Sequence, residues 1–421
     1  MLQVTPSPRW ALLALALAAC GESALPSDTL WGFSIAVLGD LDGDGTPELA
    51  VSAPATTETR GDHARVEAGR VCVLSGATGE ARGCWTGATG RAWLGYSMTT
   101  LRGPGGASRL VTCAPFESTR EAAFVGACHL VEPGALLDTA TVTGLVEGEA
   151  FGGTAIALHD LDDDGWQELA VVSPSWGAQE GGNLGRLTVF SGSGALFSVE
   201  GVTPGEGFGL GVAPSPDATG DGVPDVVVGA PLAWPGGALH VLSGVDGAWV
   251  RTCEGPDGAL LGYGAVAAVV GTGETATPVV VTGQDAETIV AVDPVTCEVT
   301  HTWAGLRGPD GVDEPRLSLH GAGDVDGDGV PDVAAAMSCD SPSCSGGLVF
   351  LLSGATFTLI RELSGPDTFG STVRPFADWT GDGIAELLVG VPTGESGRVL
   401  IVDPVTGGTV RAMGLDAGWE E

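Results

Sequence analysis

The chain contains no lysine. All seventeen basic residues are arginine, against 53 Asp and Glu, and the formal net charge is −36. Without lysine there is no Walker-type phosphate loop and no Schiff-base mechanism, since both need an ε-amino group. So few cations also argue against nucleic acid as a partner, because phosphate backbones are bound by clustered Arg and Lys. Aromatic residues make up only 6% of the chain, and helix-period apolar patterns are missing outside the N-terminus. The six histidines (His63, His129, His159, His240, His301, His320) stand singly. No His-Glu-x-x-His, no Gly-x-Ser-x-Gly and no Cys-x-x-Cys occurs, so the usual metalloprotease, serine-hydrolase and zinc signatures are absent. No catalytic residue is nominated.

Long apolar runs are also missing. Arg9 precedes one stretch, Trp10 to Ala19, too short to span a bilayer. Residues 1–20 therefore read as an export signal, and 21–30 as a short linker. The signal ends Leu17-Ala18-Ala19-Cys20-Gly21. This resembles the lipobox of bacterial lipoproteins, which implies lipidation of Cys20 and membrane contact only through that lipid. The competing reading is an ordinary signal peptide with a chance cysteine. The expected location is the bacterial cell envelope, on the outer membrane or cell surface, or else secretion.

Setting Cys20 aside leaves eight cysteines, an even number that suits an oxidising compartment. Cys72 and Cys84, Cys113 and Cys128, and Cys339 and Cys344 are local neighbours, with Cys253 and Cys297 remaining. Four disulfides are expected, although spacing alone does not establish connectivity.

Glycine, by contrast, is abundant at 69 residues, and aspartate recurs at fixed spacing. The pattern Asp-x-Asp/Thr-x-Asp-Gly-x-x-Asp/Glu occurs five times. Position one is Asp40, Asp160, Asp217, Asp324 and Asp378; position three is Asp42, Asp162, Thr219, Asp326 and Thr380. Position five is Asp44, Asp164, Asp221, Asp328 and Asp382; position nine is Glu48, Glu168, Asp225, Asp332 and Glu386. Position seven, expected to offer a backbone carbonyl, is Thr46, Trp166, Val223, Val330 and Ile384. Alternate oxygens of a tight loop can converge on a hard cation that takes six to eight of them at roughly 2.3–2.6 Å. The expected cofactor is Ca²⁺, about five ions. An EF-hand is excluded, because position twelve is Val51, Val171, Val228, Ala335 or Val389 rather than Glu. These residues lie in short apolar, mostly β-branched runs that read as buried strands. The cation is assigned mainly a structural role: it relieves the mutual repulsion of carboxylates crowded into one turn.

Nine residues before each acidic loop stands Trp31-Gly32, Phe151-Gly152, Phe208-Gly209, Pro315-Arg316 or Phe369-Gly370, and Leu94-Gly95 and Leu261-Gly262 fill the gaps. Repeats therefore start near residues 31, 94, 151, 208, 261, 315 and 369, about 55 residues apart. Each holds four predicted short strands. Such units bury their two apolar faces by radial packing, so residues 31–421 are predicted to form an all-β, seven-bladed β-propeller of four-stranded antiparallel blades.

Phenylalanine-glycine starts, Gly229-Ala230-Pro231 and Asp-rich loops between first and second strands together resemble the FG-GAP repeat, which builds the seven-bladed propeller of integrin α subunits. Copies two and five lack the metal ligands, and copy six lacks the opening dipeptide. In that family the face opposite the metal loops carries ligand contacts. On it are expected the Ala55 to Ala68 loop, Trp176 and Trp234, where either tryptophan could stack on a sugar, fill a partner pocket or pack against the next blade. Arg60-Gly61-Asp62 matches an integrin-ligand tripeptide, read here as coincidence in a Gly- and Asp-rich chain. The expected function is a non-catalytic surface binding or adhesion module for an unknown protein or glycan. The alternatives are the propeller of an extracellular polysaccharide-active enzyme, or a purely structural envelope lipoprotein.

Overall fold

The computed structural model describes residues 30–414 except 61–62, 136, 179–181, 193, 272–276, 309–315, 339–345, 367 and 393–396. The signal and linker with Cys20, most of the Arg60-Gly61-Asp62 tripeptide, Pro315, and the Cys339 and Cys344 pair lie outside the described residues. Seven sheets of four antiparallel strands follow one another along the chain, with strands paired in sequence order within every sheet. Blade 1 comprises Ile35–Gly39, Glu48–Ala53, Arg70–Leu74 and Ala81–Thr86. Blade 4 comprises Gly211–Pro214, Val226–Ala230, Ala238–Leu242 and Trp249–Glu254, and blade 7 Val373–Pro375, Leu387–Val391, Arg398–Val402 and Thr409–Met413. No described helix is long and apolar enough to cross a membrane.

Composition tracks position in the blade. Second strands are mostly apolar and largely buried, wholly so in Glu48–Ala53 and Val226–Ala230, because a neighbouring blade covers each of their faces. Fourth strands such as Val299–Ala304 are largely exposed and polar, which keeps the outer edges from pairing with other chains. In all seven blades the register slips between the third and fourth strands, a bulge that adds twist at the rim. A small antiparallel hairpin, Glu58–Arg60 paired with His63–Arg65, stands in the second-to-third connection of blade 1, where the sequence pattern predicts only a loop.

The hydrophobic core is divided. Seven clusters each combine residues of two adjacent blades. The cluster joining the chain ends packs Trp31, Ile35 and Leu49 of the first repeat against Leu388, Val399 and Ile401 of the last. First strands of neighbouring blades touch around the full circle, blade 7 to blade 1 included. Leu30 N donates to Pro392 O at 2.9 Å across that seam. The four strands of blade 7 come from one stretch of chain, so side-chain packing closes the ring without a shared strand.

The repeat-opening dipeptides supply the inter-blade wedge. Trp31, Leu94, Phe151, Phe208, Leu261 and Phe369 are all buried. The glycine after each has φ between 86° and 100°, a region that side chains resist. A Cβ on Gly209 would sit 2.5 Å from Val172 Cγ1 of the preceding blade, and one on Gly32 2.4 Å from Arg398 O. Glycine is required there for both conformation and contact.

Three disulfides are present: Cys72–Cys84, Cys113–Cys128 and Cys253–Cys297. The first two join register partners within a blade. The third ties the outer strand of blade 4 to the third-to-fourth-strand turn of blade 5.

Candidate metal-binding face

The five acidic loops connect first to second strands, so antiparallel order places them on one face of the ring. Local hydrogen bonding builds each loop the same way. The position-one carboxylate accepts from the position-six glycine N–H, in Gly45→Asp40 (3.0 Å), Gly165→Asp160 (2.9 Å), Gly222→Asp217 (2.7 Å), Gly329→Asp324 (2.9 Å) and Gly383→Asp378 (2.9 Å). The position-five carboxylate accepts from the position-seven N–H of Thr46, Trp166, Val223, Val330 and Ile384. These donors lower the Asp40 and Asp217 carboxyls below their usual range, with the Gly45 and Gly222 amides contributing most.

Position nine has a second task that the sequence does not reveal. Glu48, Glu168, Asp225, Asp332 and Glu386 are each at most 2% exposed. One oxygen of each accepts the position-two N–H, from Leu41, Leu161, Ala218, Val325 and Trp379. In the Asp copies the other oxygen accepts from the third-to-fourth turn, Gly244 N at 3.0 Å and Gly354 N at 2.7 Å. A Cβ on either turn glycine would collide with a carbonyl oxygen immediately before position nine, 1.9 Å from Pro224 O for Gly244 and 2.1 Å from Pro331 O for Gly354. In these two copies the residue thus staples the acidic loop to the adjacent turn.

Carboxylate oxygens converge to within 4.8 Å of one another in three loops: Asp160, Asp162, Asp164 and Glu168 in blade 3, Asp40, Asp42 and Glu48 in blade 1, and Asp324, Asp326 and Asp332 in blade 6. Asp44 and Asp328 stay outside their groups. Among the described residues, blades 4 and 7 form no such group. There Thr219 and Thr380 replace one carboxylate, and the Thr219 hydroxyl donates to Asp217 Oδ1 at 3.0 Å. Of the loops without ligands, Gly103 to Ala107 in blade 2 makes a short 3₁₀ turn, and most of the blade 5 loop lies outside the described residues.

The blade 3 group fits a cation best. Glu168 Oε1 is buried and has no hydrogen-bond partner. Burial, and then repulsion from Asp162, Asp160 and Asp164, raises the Glu168 carboxyl to about 7. Burial chiefly raises Asp332 to about 6 in the same setting. Four carboxylates around an unsatisfied oxygen are an arrangement that a hard dication relieves. In blade 1 a cation is already at hand: Arg82 of the outer strand lies 3.0 Å from Asp42 Oδ2 and 3.2 Å from Glu48 Oε1. Its position, 40 residues beyond Asp42, leaves no local sequence signal.

On the opposite face the two tryptophans differ. Trp176 lies under the Arg186 guanidinium, 4.2 Å from its ring centre. Trp234, before a cis Trp234–Pro235 bond, is 92% exposed. Two buried acids on this face are not metal ligands. Glu149 and Glu206 each accept backbone N–H groups, of Leu145 and Val202, and clamp the connection into Phe151 and Phe208. A Glu two residues before the phenylalanine is their sequence signal.

Two family models match the chain, FG-GAP repeat over residues 31–74 and FG-GAP-like repeat over 324–389. Xenopus laevis integrin alpha-5 is 27% identical over 221 residues, 48% of this chain and 20% of that protein. Gallus gallus integrin alpha-V is 28% identical over 232 residues, 51% of this chain and 21% of that protein. Human integrin alpha-IIb is 31% identical over 219 residues, 48% of this chain and 20% of that protein. The chain thus spans about a fifth of the length of these relatives. A crystal structure of BBS1N in complex with ARL6DN, soaked with lead, superposes with a TM-score of 0.51 at 12% identity, covering 88% of this chain and 90% of that one, a likeness of fold alone. The chain is therefore a seven-bladed β-propeller that carries FG-GAP repeats and resembles integrin α subunits.

Proposed function

We propose that this protein is an exported, calcium-stabilised propeller acting as a non-catalytic binding or adhesion module, held at a bacterial cell surface by lipid on Cys20. The observation that carries this reading is the union of FG-GAP repeats, integrin likeness and acidic loops at one repeat position. Disulfides within and between blades support an oxidising compartment. The carboxylates at positions one, three, five and nine would hold Ca²⁺, with Thr219 and Thr380 giving hydroxyls in blades 4 and 7. Bound calcium supplies charge neutralisation, and the chain's own amides pre-shape each loop to receive it. A protein or glycan partner would meet the opposite face, with exposed Trp234 as its aromatic anchor.

The test is retention of the folded, calcium-loaded protein on glycan and protein arrays. Binding that falls at least tenfold in Trp234→Ala, with an unchanged melting temperature, supports the reading. Turnover of acidic polysaccharide by the wild type, or binding indifferent to Trp234, counts against it.

A further inference from the structure

The ring's axis differs in charge from the rest of the molecule. None of the seven first strands contains Asp or Glu, although the chain has 53 of them. Those strands carry Arg102, Arg316, His320 and Arg374 instead. A cavity of about 390 Å³ lies among them, lined by Arg102, Arg374, Thr99, Thr100 and Gln167 and by the apolar Ile35 to Val37 segment.

Neither lining arginine has a carboxylate partner among the described residues. Arg374 Nη1 donates to Val373 O and lies against His320 Nδ1, both at 2.8 Å. Arg102 donates to Leu38 O at 2.9 Å and to Val37 O at 3.1 Å. Each guanidinium therefore has only neutral partners. Burial pulls Arg374 down to about 10 and lowers Arg102, and no acidic group opposes either shift. A guanidinium stays charged at neutral pH. Arg374 is only partly open to solvent and Arg102 stands exposed at the cavity, so an entering anion would meet two cations that no described carboxylate neutralises. The planar guanidinium fork of donors matches oxyanions. The Thr99 hydroxyl and the Gln167 amide nitrogen add neutral donors to the lining, while the Thr100 hydroxyl is spent on Val37 O at 3.1 Å. Gln167 is itself positioned, since its side-chain oxygen accepts from Arg102 N and its backbone N–H donates to Arg102 O, both at 2.9 Å.

We propose that this axial cavity is a binding site for a small oxyanion, a carboxylate or sulfate-like group on a solute small enough to enter the ring. The site would adjoin the blade 3 acidic loop through Gln167, which stands between Trp166 and Glu168, and would be distinct from the partner face.

Calcium-saturated wild-type protein is titrated calorimetrically with sodium sulfate and with sodium D-glucuronate, against sodium chloride at equal ionic strength, and its melting temperature is followed in each salt. Saturable one-to-one binding of either probe, with a rise of about 2–4 °C over chloride, is expected. Sulfate alone identifies a tetrahedral inorganic anion, and glucuronate alone a carboxylate solute. Arg374→Gln and Arg102→Gln should each weaken binding at least tenfold and abolish the specific thermal rise, with Arg374→Lys retaining part of it. If one Gln variant fails to fold, the other decides. Absence of saturable binding to wild type, or an equal thermal rise in a folded Gln variant, overturns the proposal.

Discussion

Gly209 and Gly43 are both glycines at positive φ, 92° and 80°, yet their surroundings set different costs for a side chain. A Cβ on Gly209 would meet Val172 of the preceding blade, whereas one on Gly43 would meet nothing within 4 Å. Gly43→Ala should therefore cost about 1 kcal/mol, the conformational part alone, and Gly209→Ala about 2–5 kcal/mol, since overpacking adds to it. Urea denaturation of the two variants measures the difference, and equal losses would refute the wedge role. His240 gives a second residue-scale expectation. Its ring lies between Phe208 and Trp249, Nδ1 is 3.1 Å from Thr252 Oγ1, and Nε2 is buried without a partner. Burial lowers its pKa from 6.5 to about 4. The unfolded chain thus binds a proton that the folded chain refuses, so this contribution is present above pH 6.5 and lost as pH falls towards 4. Relative to wild type, His240→Asn should lose up to about 1.4 kcal/mol per pH unit of slope in that window, read from urea midpoints across it. An unchanged slope would remove His240 from the acid response.

At the scale of elements, the three disulfides close loops of different length. Cys72–Cys84 spans 12 residues and Cys253–Cys297 spans 44. Chain entropy predicts a loss of about 3 kcal/mol for the paired Ser variant of the first and about 4 kcal/mol for that of the second. The second bridge also joins two blades, so its removal should loosen the blade 4–5 interface, visible as faster amide exchange in Leu239 and Val280, which share that interface cluster. Faster exchange confined to blade 5 would argue that the bridge acts within a blade. Much at this scale was legible beforehand: the four-strand blades, the buried second strands and the side on which the acidic loops lie. The bulge between third and fourth strands was not, because a register slip depends on how two strands twist together and leaves no residue signature. The hairpin at Glu58–Arg60 was missed for a related reason, since three-residue strands carry too little alternation to detect.

For the whole molecule, stability is shared among seven interfaces and a set of acidic loops. If calcium stands at ten times its Kd, each occupied loop adds about 1.4 kcal/mol. Chelation should therefore lower the wild-type melting temperature sharply, and Asp326→Ala should remove one loop's share. A melting curve indifferent to chelator would show that backbone donors alone keep the loops in shape. The loops are not equivalent, however. Blade 3 gathers four carboxylates, blade 1 has Arg82 beside it, and blades 4 and 7 form no converging group among the described residues. Ions should bind in that graded order, seen as unequal steps in a calcium titration.

The amino-acid sequence alone determined the repeat, the blade count, the antiparallel four-strand unit and the identity of the acidic loops. Those features rest on spacing, apolar run length and turn residues, all local along the chain. Tertiary structure decided which carboxylates converge, that position nine is buried and in blades 4 and 6 a staple, that Arg82 faces Asp42, and that Trp176 lies beneath Arg186 while Trp234 projects into solvent. It also collected arginines from blades 2 and 7 around one axial cavity. Each of these pairs residues far apart in the chain, brought together only when seven separate sheets close into a ring.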